Sequence, residues 1–200
     1  MLERMKKNPR NSRKFRNHGF SLVELAIVMV IVMAIAAMAI PAVLTMIREL
    51  RISGEARDLN GAIVLAKMRA AANFARARVY ADFSAKTFRV EWQQSDATSW
   101  TPEGGDQPLA TGVSFGYGSL SSPPLNTQGT LGQALCSGST TTACITFNSR
   151  GIPITSTGAP TPNDAIYITD GRTVTGVTVS ATGLTKIWRT EASAANWKQR

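Results

Sequence analysis

A long apolar segment follows the polar N-terminus of the chain. Residues 25–47 form 23 consecutive positions without a charged side chain. About 20 apolar residues are enough to cross the hydrocarbon core of a bilayer as a helix. The segment therefore predicts a transmembrane helix, placed at residues 20–47.

After Ile47 charged residues return and the apolar positions become periodic. Their spacing of three and four is that of a helical stripe. The stripe comprises Leu59, Ile63, Ala66, Ala70, Phe74 and Ala77. We therefore expect one long helix with two halves, the membrane-spanning half at residues 20–47 and an amphipathic half at residues 48–78 whose stripe packs into a core.

Beyond residue 78 the apolar period changes to two, which is typical of half-buried strands. Strands are predicted at residues 79–83, 88–92, 112–117, 143–147, 165–169, 174–180 and 184–189. Residues 93–111 and 118–138 are rich in turn-forming residues and are predicted loops, and residues 190–200 are predicted to be a mobile tail. The pattern predicts an α+β fold in which the long helix packs against an antiparallel β-sheet head at residues 79–200.

The formal net charge of +9 is concentrated at the N-terminus. Residues 1–19 contain seven basic residues and one acidic residue, whereas residues 20–200 contain 15 basic and 12 acidic residues. A basic segment before an apolar helix stays on the cytoplasmic side, so the head is expected on the opposite side of the membrane. The sequence pI of about 10.2 is thus weak evidence that the head binds nucleic acid.

The single histidine of the chain, His18, limits its catalytic chemistry. If residues 1–19 are removed, the rest of the chain cannot form a Ser-His-Asp triad, a Cys-His pair or a His-ligated zinc site. The sequence also lacks a phosphate-binding lysine motif, a dinucleotide-binding fingerprint and a spaced set of acidic ligands. We therefore expect no enzymatic activity, no cofactor and no metal site, although Asp164 and Asp170 are weak candidates for calcium contacts.

The two cysteines, Cys136 and Cys144, lie eight positions apart in the part of the chain expected outside the cytoplasm. An oxidising compartment favours a disulfide between them, which would pin the intervening loop to the following strand. Two free thiols are the alternative.

Glu24 lies at the start of the apolar segment. A carboxylate in a membrane helix costs roughly 2.5–3.5 kcal/mol near the bilayer centre and less near the interface, so it is rarely retained without a function and a partner. With Glu24, residues 19–24 read Gly-Phe-Ser-Leu-Val-Glu, between a basic leader and an unbroken apolar stretch. This arrangement resembles the processing signal of type IV prepilins and of the pseudopilins of type II secretion.

The resemblance implies a complete maturation route. Prepilin peptidase would cleave after Gly19, release the leader at residues 1–19, and N-methylate the new amine of Phe20. Glu24 would pair with the Phe20 amine of a neighbouring subunit and so set the register of the packed helices. Pro41 would kink the helix, with a bend or local melting expected over residues 37–41.

Two segments of the head resemble the GspH/FimT class of minor pilins and pseudopilins. They are residues 145–151, which have an F-x-x-x-G pattern, and the closing stretch at residues 174–187. The class implies a pilin-like fold and a filament-tip or assembly subunit anchored in the inner membrane by one span, with its head in the periplasm. Its partners would be prepilin peptidase, other pseudopilins or minor pilins, and secreted cargo.

The alternative within the resemblance is a minor type IV pilin of the FimT kind, acting in pilus biogenesis, adhesion or DNA uptake. Arg172, Lys186 and Arg189 are the candidate DNA contacts, since basic residues interleaved with tryptophans can bind phosphates and stack on bases. Only one arginine stands in the segment where the DNA-uptake pilins have their basic motif. A solvated charged edge is therefore the favoured interpretation of these residues.

Overall fold

The computed structural model describes residues 19–94 and 97–200, so the predicted leader at residues 1–19 lies outside the described residues except for Gly19. Within them lie one helix and ten strands. In chain order they are α1 (Leu22–Ala72), β1 (Arg76–Asp82), β2 (Thr87–Gln93), β3 (Thr101–Pro108), β4 (Ser114–Phe115), β5 (Thr142–Phe147), β6 (Pro153–Ile154), β7 (Asn163–Thr169), β8 (Thr173–Ser180), β9 (Thr185–Glu191) and β10 (Ala194–Gln199). The chain divides into two compact units, Met1–Leu44 and Thr45–Arg200.

The strands form two five-stranded sheets, both antiparallel throughout. The first has the order β3-β2-β1-β5-β6 and the second the order β10-β9-β8-β7-β4. The main core lies between the second half of α1 and these sheets. Its helical members are Ile52, Ala56, Leu59, Ala62, Ile63, Ala66 and Ala70. The predicted α+β class, with a long helix packed on antiparallel sheets, is confirmed.

The amphipathic half of the helix is shorter than predicted. The sequence places its end near residue 78, whereas α1 ends at Ala72 and β1 begins at Arg76. Phe74 adopts a positive φ of 49°, and the backbone N–H of Ala75 donates to the carbonyl of Ala70, as in a left-handed helix C-cap. Phe74 is therefore 84% exposed instead of belonging to the buried stripe, and Ala77 is buried as a strand residue.

Four polar contacts along the second half of α1 join it to the head. Glu55 accepts a hydrogen bond from the backbone N–H of Ala110 at 3.1 Å, and Lys67 Nζ donates to the carbonyl of Gly183 at 2.9 Å. Ion pairs join Arg69 to Glu103 and Glu49 to Arg189. Desolvation by burial raises the pKa of Glu55, the Ala110 hydrogen bond lowers it, and the nearby Asp58 raises it. These contacts fix the position of the helix along the sheets.

Two segments predicted to be irregular are strands. Residues 101–108 form β3, an edge strand paired with β2, and residues 194–199 form β10, which pairs with β9 with a register shift. Both predictions were wrong because side chains on an exposed edge strand need not alternate between apolar and polar. Backbone pairing, rather than burial, holds these two strands in place.

The predicted loop at residues 118–138 covers the outer face of the second sheet. A smaller apolar cluster forms there from Leu120, Ala165, Tyr167 and Val174. The amide of Gln133 accepts a hydrogen bond from the backbone N–H of Tyr167 and donates one to its carbonyl, both at 2.8 Å, so one side chain takes the place of a neighbouring strand. The Cys136 and Cys144 sulfurs are bonded, as predicted, and pin the end of this loop against β5.

The tight centre of the second sheet gives a test of this packing. Gly176 of β8 lies opposite Tyr167 of β7, and a Cβ at Gly176 would lie 2.4 Å from the Tyr167 ring. The ring cannot retreat easily, because its hydroxyl donates to Gln128 Oε1 at 2.9 Å and its face packs on Trp197. Gly176→Ala should therefore lower the free energy of unfolding by about 1–3 kcal/mol, measured by urea denaturation with near-UV circular dichroism.

Gly61 provides the matched control for this substitution. It lies in the exposed part of α1, and a Cβ there would meet nothing within 4 Å. Gly61→Ala should raise the free energy of unfolding by about 0.5–1 kcal/mol, since alanine loses less backbone entropy in a helix. Equal effects from the two alanines would contradict the packing described for Tyr167.

Candidate functional site

The predicted cleavage site lies immediately before α1. Gly19 and Phe20 precede the helix, which begins at Leu22, and both are exposed. The first helical hydrogen bond runs from the backbone N–H of Leu25 to the carbonyl of Ser21. The peptide bond between Gly19 and Phe20 is therefore outside regular structure and accessible to another protein.

The fold itself does not require glycine at position 19. A Cβ built at Gly19 would meet no atom within 4 Å, and the backbone there does not have a positive φ. Glycine is needed where the chain adopts a left-handed conformation or where another backbone approaches closely. Because the first condition is not met, any requirement for Gly19 must come from a molecule outside this chain.

Glu24 lies in the first turn of α1. A carboxylate there interacts favourably with the positive end of the helix dipole. Among the described residues Glu24 has no cationic partner within 4 Å. The spacing Ser21-x-x-Glu24 is also that of a helix-capping box, so two distinct roles, capping and pairing with an external charge, fall on the same residue.

The first half of α1 exposes large apolar side chains on all sides. From Leu22 to Leu50 every residue is exposed, including Leu25, Ile31, Met38 and Leu44. Within the described residues, α1 is long and apolar enough to cross a membrane, and its apolar window is not buried inside the protein. An isoleucine- and valine-rich surface of this size needs a bilayer or other helices to cover it.

Helical backbone continues without interruption through Pro41. Of the bend or local melting expected over residues 37–41, local melting is not found, since α1 is helical throughout this segment. A kink at Pro41 stays a prediction.

The three candidate DNA contacts do not form one patch. Arg172 lies in the turn between β7 and β8, where it lines a cavity of about 410 Å³ together with Arg189. Lys186 lines a different cavity, of about 260 Å³. It precedes Arg189 by three positions on β9, an odd spacing that puts the two side chains on opposite faces of the sheet. Arg172 and Arg189 thus share a cavity from which Lys186 is separate, and DNA binding by these residues stays an untested alternative.

The two weak calcium candidates are also separated. Asp164 is near the start of β7, whereas Asp170 follows its end and accepts hydrogen bonds from the backbone N–H groups of Arg172 and Thr173. Within the described residues no group of three or more metal-binding side chains occurs. The weak calcium candidates therefore have no such donor set among the described residues.

Asp164 lines the largest of the head cavities described here, about 510 Å³, together with Arg76, Arg78 and Trp100. Desolvation by burial raises the pKa of Asp164 to about 6, against a smaller lowering by the Ala165 backbone N–H. The folded protein therefore holds this proton more tightly than the unfolded chain. The stability that the protonated Asp164 side chain contributes is fully present below about pH 4 and is lost as the pH rises through about 6.

We expect the free energy of unfolding to fall by about 1–2 kcal/mol between about pH 4.5 and pH 7.5 through this group. Asp164→Asn, which stays uncharged, should remove this decrease and be the more stable protein at the higher pH. Urea denaturation of both proteins across the pH range is the measurement. Parallel stability curves for the two proteins would show that Asp164 titrates normally.

Comparison with known proteins adds one sequence match and one structural likeness. Residues 14–40 match the family described as the prokaryotic N-terminal methylation motif. A search of curated proteins found no match. Two solved structures of the minor pseudopilin EpsH from the type 2 secretion system of Vibrio cholerae resemble the chain, with 11% and 12% identity and TM-scores of 0.42 and 0.41. In each case the matched region covers 68% of this chain, and it covers 93% and 91% of the two EpsH chains.

The motif match contains the residues singled out above. Gly19, Phe20 and Glu24 lie within residues 14–40, followed by most of the apolar stretch. The chain thus carries a prepilin-type N-terminal methylation signal, placed on an accessible segment ahead of an exposed apolar helix. Of the contacts that organise the head, those of Glu49, Glu55 and Lys67 have no signal in the sequence, because each joins residues more than 50 positions apart.

Proposed function

We propose that this chain is a minor pseudopilin of a type II secretion system, a non-enzymatic subunit that acts in assembly or at the tip of the pseudopilus. The observation that carries the proposal is the methylation motif at residues 14–40, together with the exposure of the cleavage site and of the apolar helix. Prepilin peptidase would cut after Gly19 on the cytoplasmic side and methylate the Phe20 amine. The head would remain in the periplasm, held to the inner membrane by a single span.

The apolar helix has a second use in this proposal. Once the leader is removed, its exposed surface can exchange lipid for the helices of other pseudopilins, since both are apolar and neither leaves backbone groups unpaired. Glu24 and the new Phe20 amine are then the charged groups available near its end. An ion pair between two subunits removes both charges from an environment in which each would be costly alone.

The head is the part of the molecule that would meet other minor subunits or secreted cargo. Its two sheets are fixed to the second half of α1 by a continuous core, so a contact made by the head would bear on that half of the helix. A minor type IV pilin of the FimT kind would share the signal and the helix. Its DNA-uptake form is less well supported, because Arg172 and Lys186 line separate cavities.

The experiment that tests the proposal is mass spectrometry of the mature protein from membranes of cells containing prepilin peptidase. The N-terminal peptide should begin at Phe20 and carry the mass of one added methyl group. The same chain produced without the peptidase should retain its leader. A mature protein that begins elsewhere, or an unmethylated Phe20, would remove the basis of the proposal.

A further inference from the structure

Three adjoining cavities surround the turn of α1 that follows the apolar segment. Two of them share Arg48 and Arg172, and two share Glu49 and Arg189. Each has a volume of about 410 Å³. Because they share walls, they form one grooved surface at the base of the head, made by α1, the turn between β7 and β8, and the last two strands.

This surface is mainly basic. Its cationic residues, called here the basic collar, are Arg48, Arg51, Arg172, Arg189, Lys198 and Arg200. Three acidic residues lie among them, of which Glu49 pairs with Arg189 at 3.2 Å and Asp170 accepts backbone hydrogen bonds. Across residues 19–94 and 97–200, Arg189 is the one collar residue with a carboxylate within 4 Å.

Several arginines outside the collar form ion pairs within the chain. Arg78 and Arg89 both bind Glu91, which is buried, at 2.7 Å, and Arg69 pairs with Glu103. Arg57, Lys86 and Arg150 also have no carboxylate within 4 Å, but five such cations of the described chain line the adjoining cavities of the collar. Because these five cations line adjoining cavities, they point to an anionic partner outside the chain.

The position of the collar identifies that partner. Arg48 is the first charged residue after the apolar residues 25–47, and the helical rise of about 1.5 Å per residue places Arg51 about 6 Å beyond Ile47. This is less than a Debye length, about 8 Å at physiological ionic strength. Lys and Arg side chains within about a Debye length of a bilayer that contains anionic lipids are attracted to its negatively charged headgroups.

We propose that the basic collar binds the anionic phospholipid headgroups of the bilayer that α1 crosses, and so holds the base of the head on the membrane until the subunit enters a filament. This inference rests on the proposed membrane anchoring of the chain. Phosphate groups fit the collar chemically, because guanidinium groups donate paired hydrogen bonds to them. Extraction into a filament then requires these contacts to be exchanged for contacts with other subunits.

The test uses the full mature chain reconstituted into vesicles of phosphatidylcholine alone or of phosphatidylcholine with phosphatidylglycerol. Amide hydrogen exchange is followed in the turn at residues 170–173 and in strand β10. We expect exchange there to be roughly fivefold slower in the anionic vesicles, and high salt to remove the difference. Exchange in the core of β8 should not depend on the lipid.

The variant with Arg51→Glu and Arg172→Glu should lose the lipid dependence of exchange. Both side chains are exposed and unpaired, so the fold should be retained, which unchanged exchange in β8 checks. Arg150→Glu changes an exposed arginine outside the collar, so it is the control and should behave like the native protein. Loss of the lipid dependence in both variants alike would overturn the proposal.

The outcomes also separate this inference from the proposed function. If the native protein inserts but its amides exchange at the same rate in both kinds of vesicle, the collar does not bind lipid, whereas membrane anchoring by α1 is unaffected. If the protein does not insert at all, both ideas fail together. Protection of the collar by duplex DNA or by another pseudopilin, without an effect of anionic lipid, would assign the surface to that partner and overturn the lipid proposal.

Discussion

Replacing Gly19 with leucine should leave the leader attached and stop maturation. A Cβ at this position would meet no atom of the described chain within 4 Å, and the site lies outside the head, so the head should fold with unchanged stability. In the peptidase site, however, the same side chain would separate the scissile bond from the catalytic groups. Since a displacement of about 1 Å can slow an enzymatic reaction by about 100-fold, we expect cleavage of Gly19→Leu to fall at least that far.

The measurement is the rate at which the leader is lost in cells that contain prepilin peptidase, followed by gel mobility and by the N-terminal mass. Gly19→Ala adds one methyl group and should be cleaved at an intermediate rate. Ser21→Ala, two residues away on the helical side of the bond, is the control for a general disturbance of the segment and should be cleaved nearly normally. Native cleavage of Gly19→Leu would contradict recognition by prepilin peptidase.

The methylation motif could be identified from the sequence because it is a linear segment. Residues 19–24 are followed directly by the apolar stretch, and recognition needs no fold to bring them together. The alternation of apolar and polar residues in the sequence likewise placed β7, β8 and β9 within about two residues of their observed bounds, although β7 and β8 are buried on both faces. Such features depend on neighbours in the chain and are therefore visible without a structure.

The features that the sequence did not reveal depend on distant residues or on unusual backbone. The end of α1 is set by Phe74 in a left-handed conformation, which glycine or asparagine would have signalled and phenylalanine does not. Strand β3 contains two glycines and two prolines and forms because β2 offers it a pairing edge. The separation of Lys186 from Arg172 follows from strand alternation combined with turn position, which requires the register of the sheet.

The second large effect concerns Glu24, because two roles coincide at this residue. As the last member of a Ser21-x-x-Glu24 capping box it would stabilise the start of α1, a role that glutamine fulfils equally well. As the partner of a neighbouring Phe20 amine it must be charged. Glu24→Gln therefore separates the roles, since it preserves the cap and removes the charge.

We expect Glu24→Gln and Glu24→Ala to be cleaved after Gly19 at the native rate and to enter filaments at least about 100-fold less efficiently than the native chain. Breaking a buried ion pair by removing one partner costs about 3–5 kcal/mol, which corresponds to a loss of that size or larger. The fraction of the subunit recovered with sheared filaments, relative to the fraction left in the membrane, measures this. Glu24→Asp retains the charge on a shorter side chain and should recover part of the incorporation. Normal incorporation of Glu24→Gln, with failure of Glu24→Ala, would instead assign Glu24 to helix capping, and the register of the filament would then have to be set by the apolar surface of α1 alone.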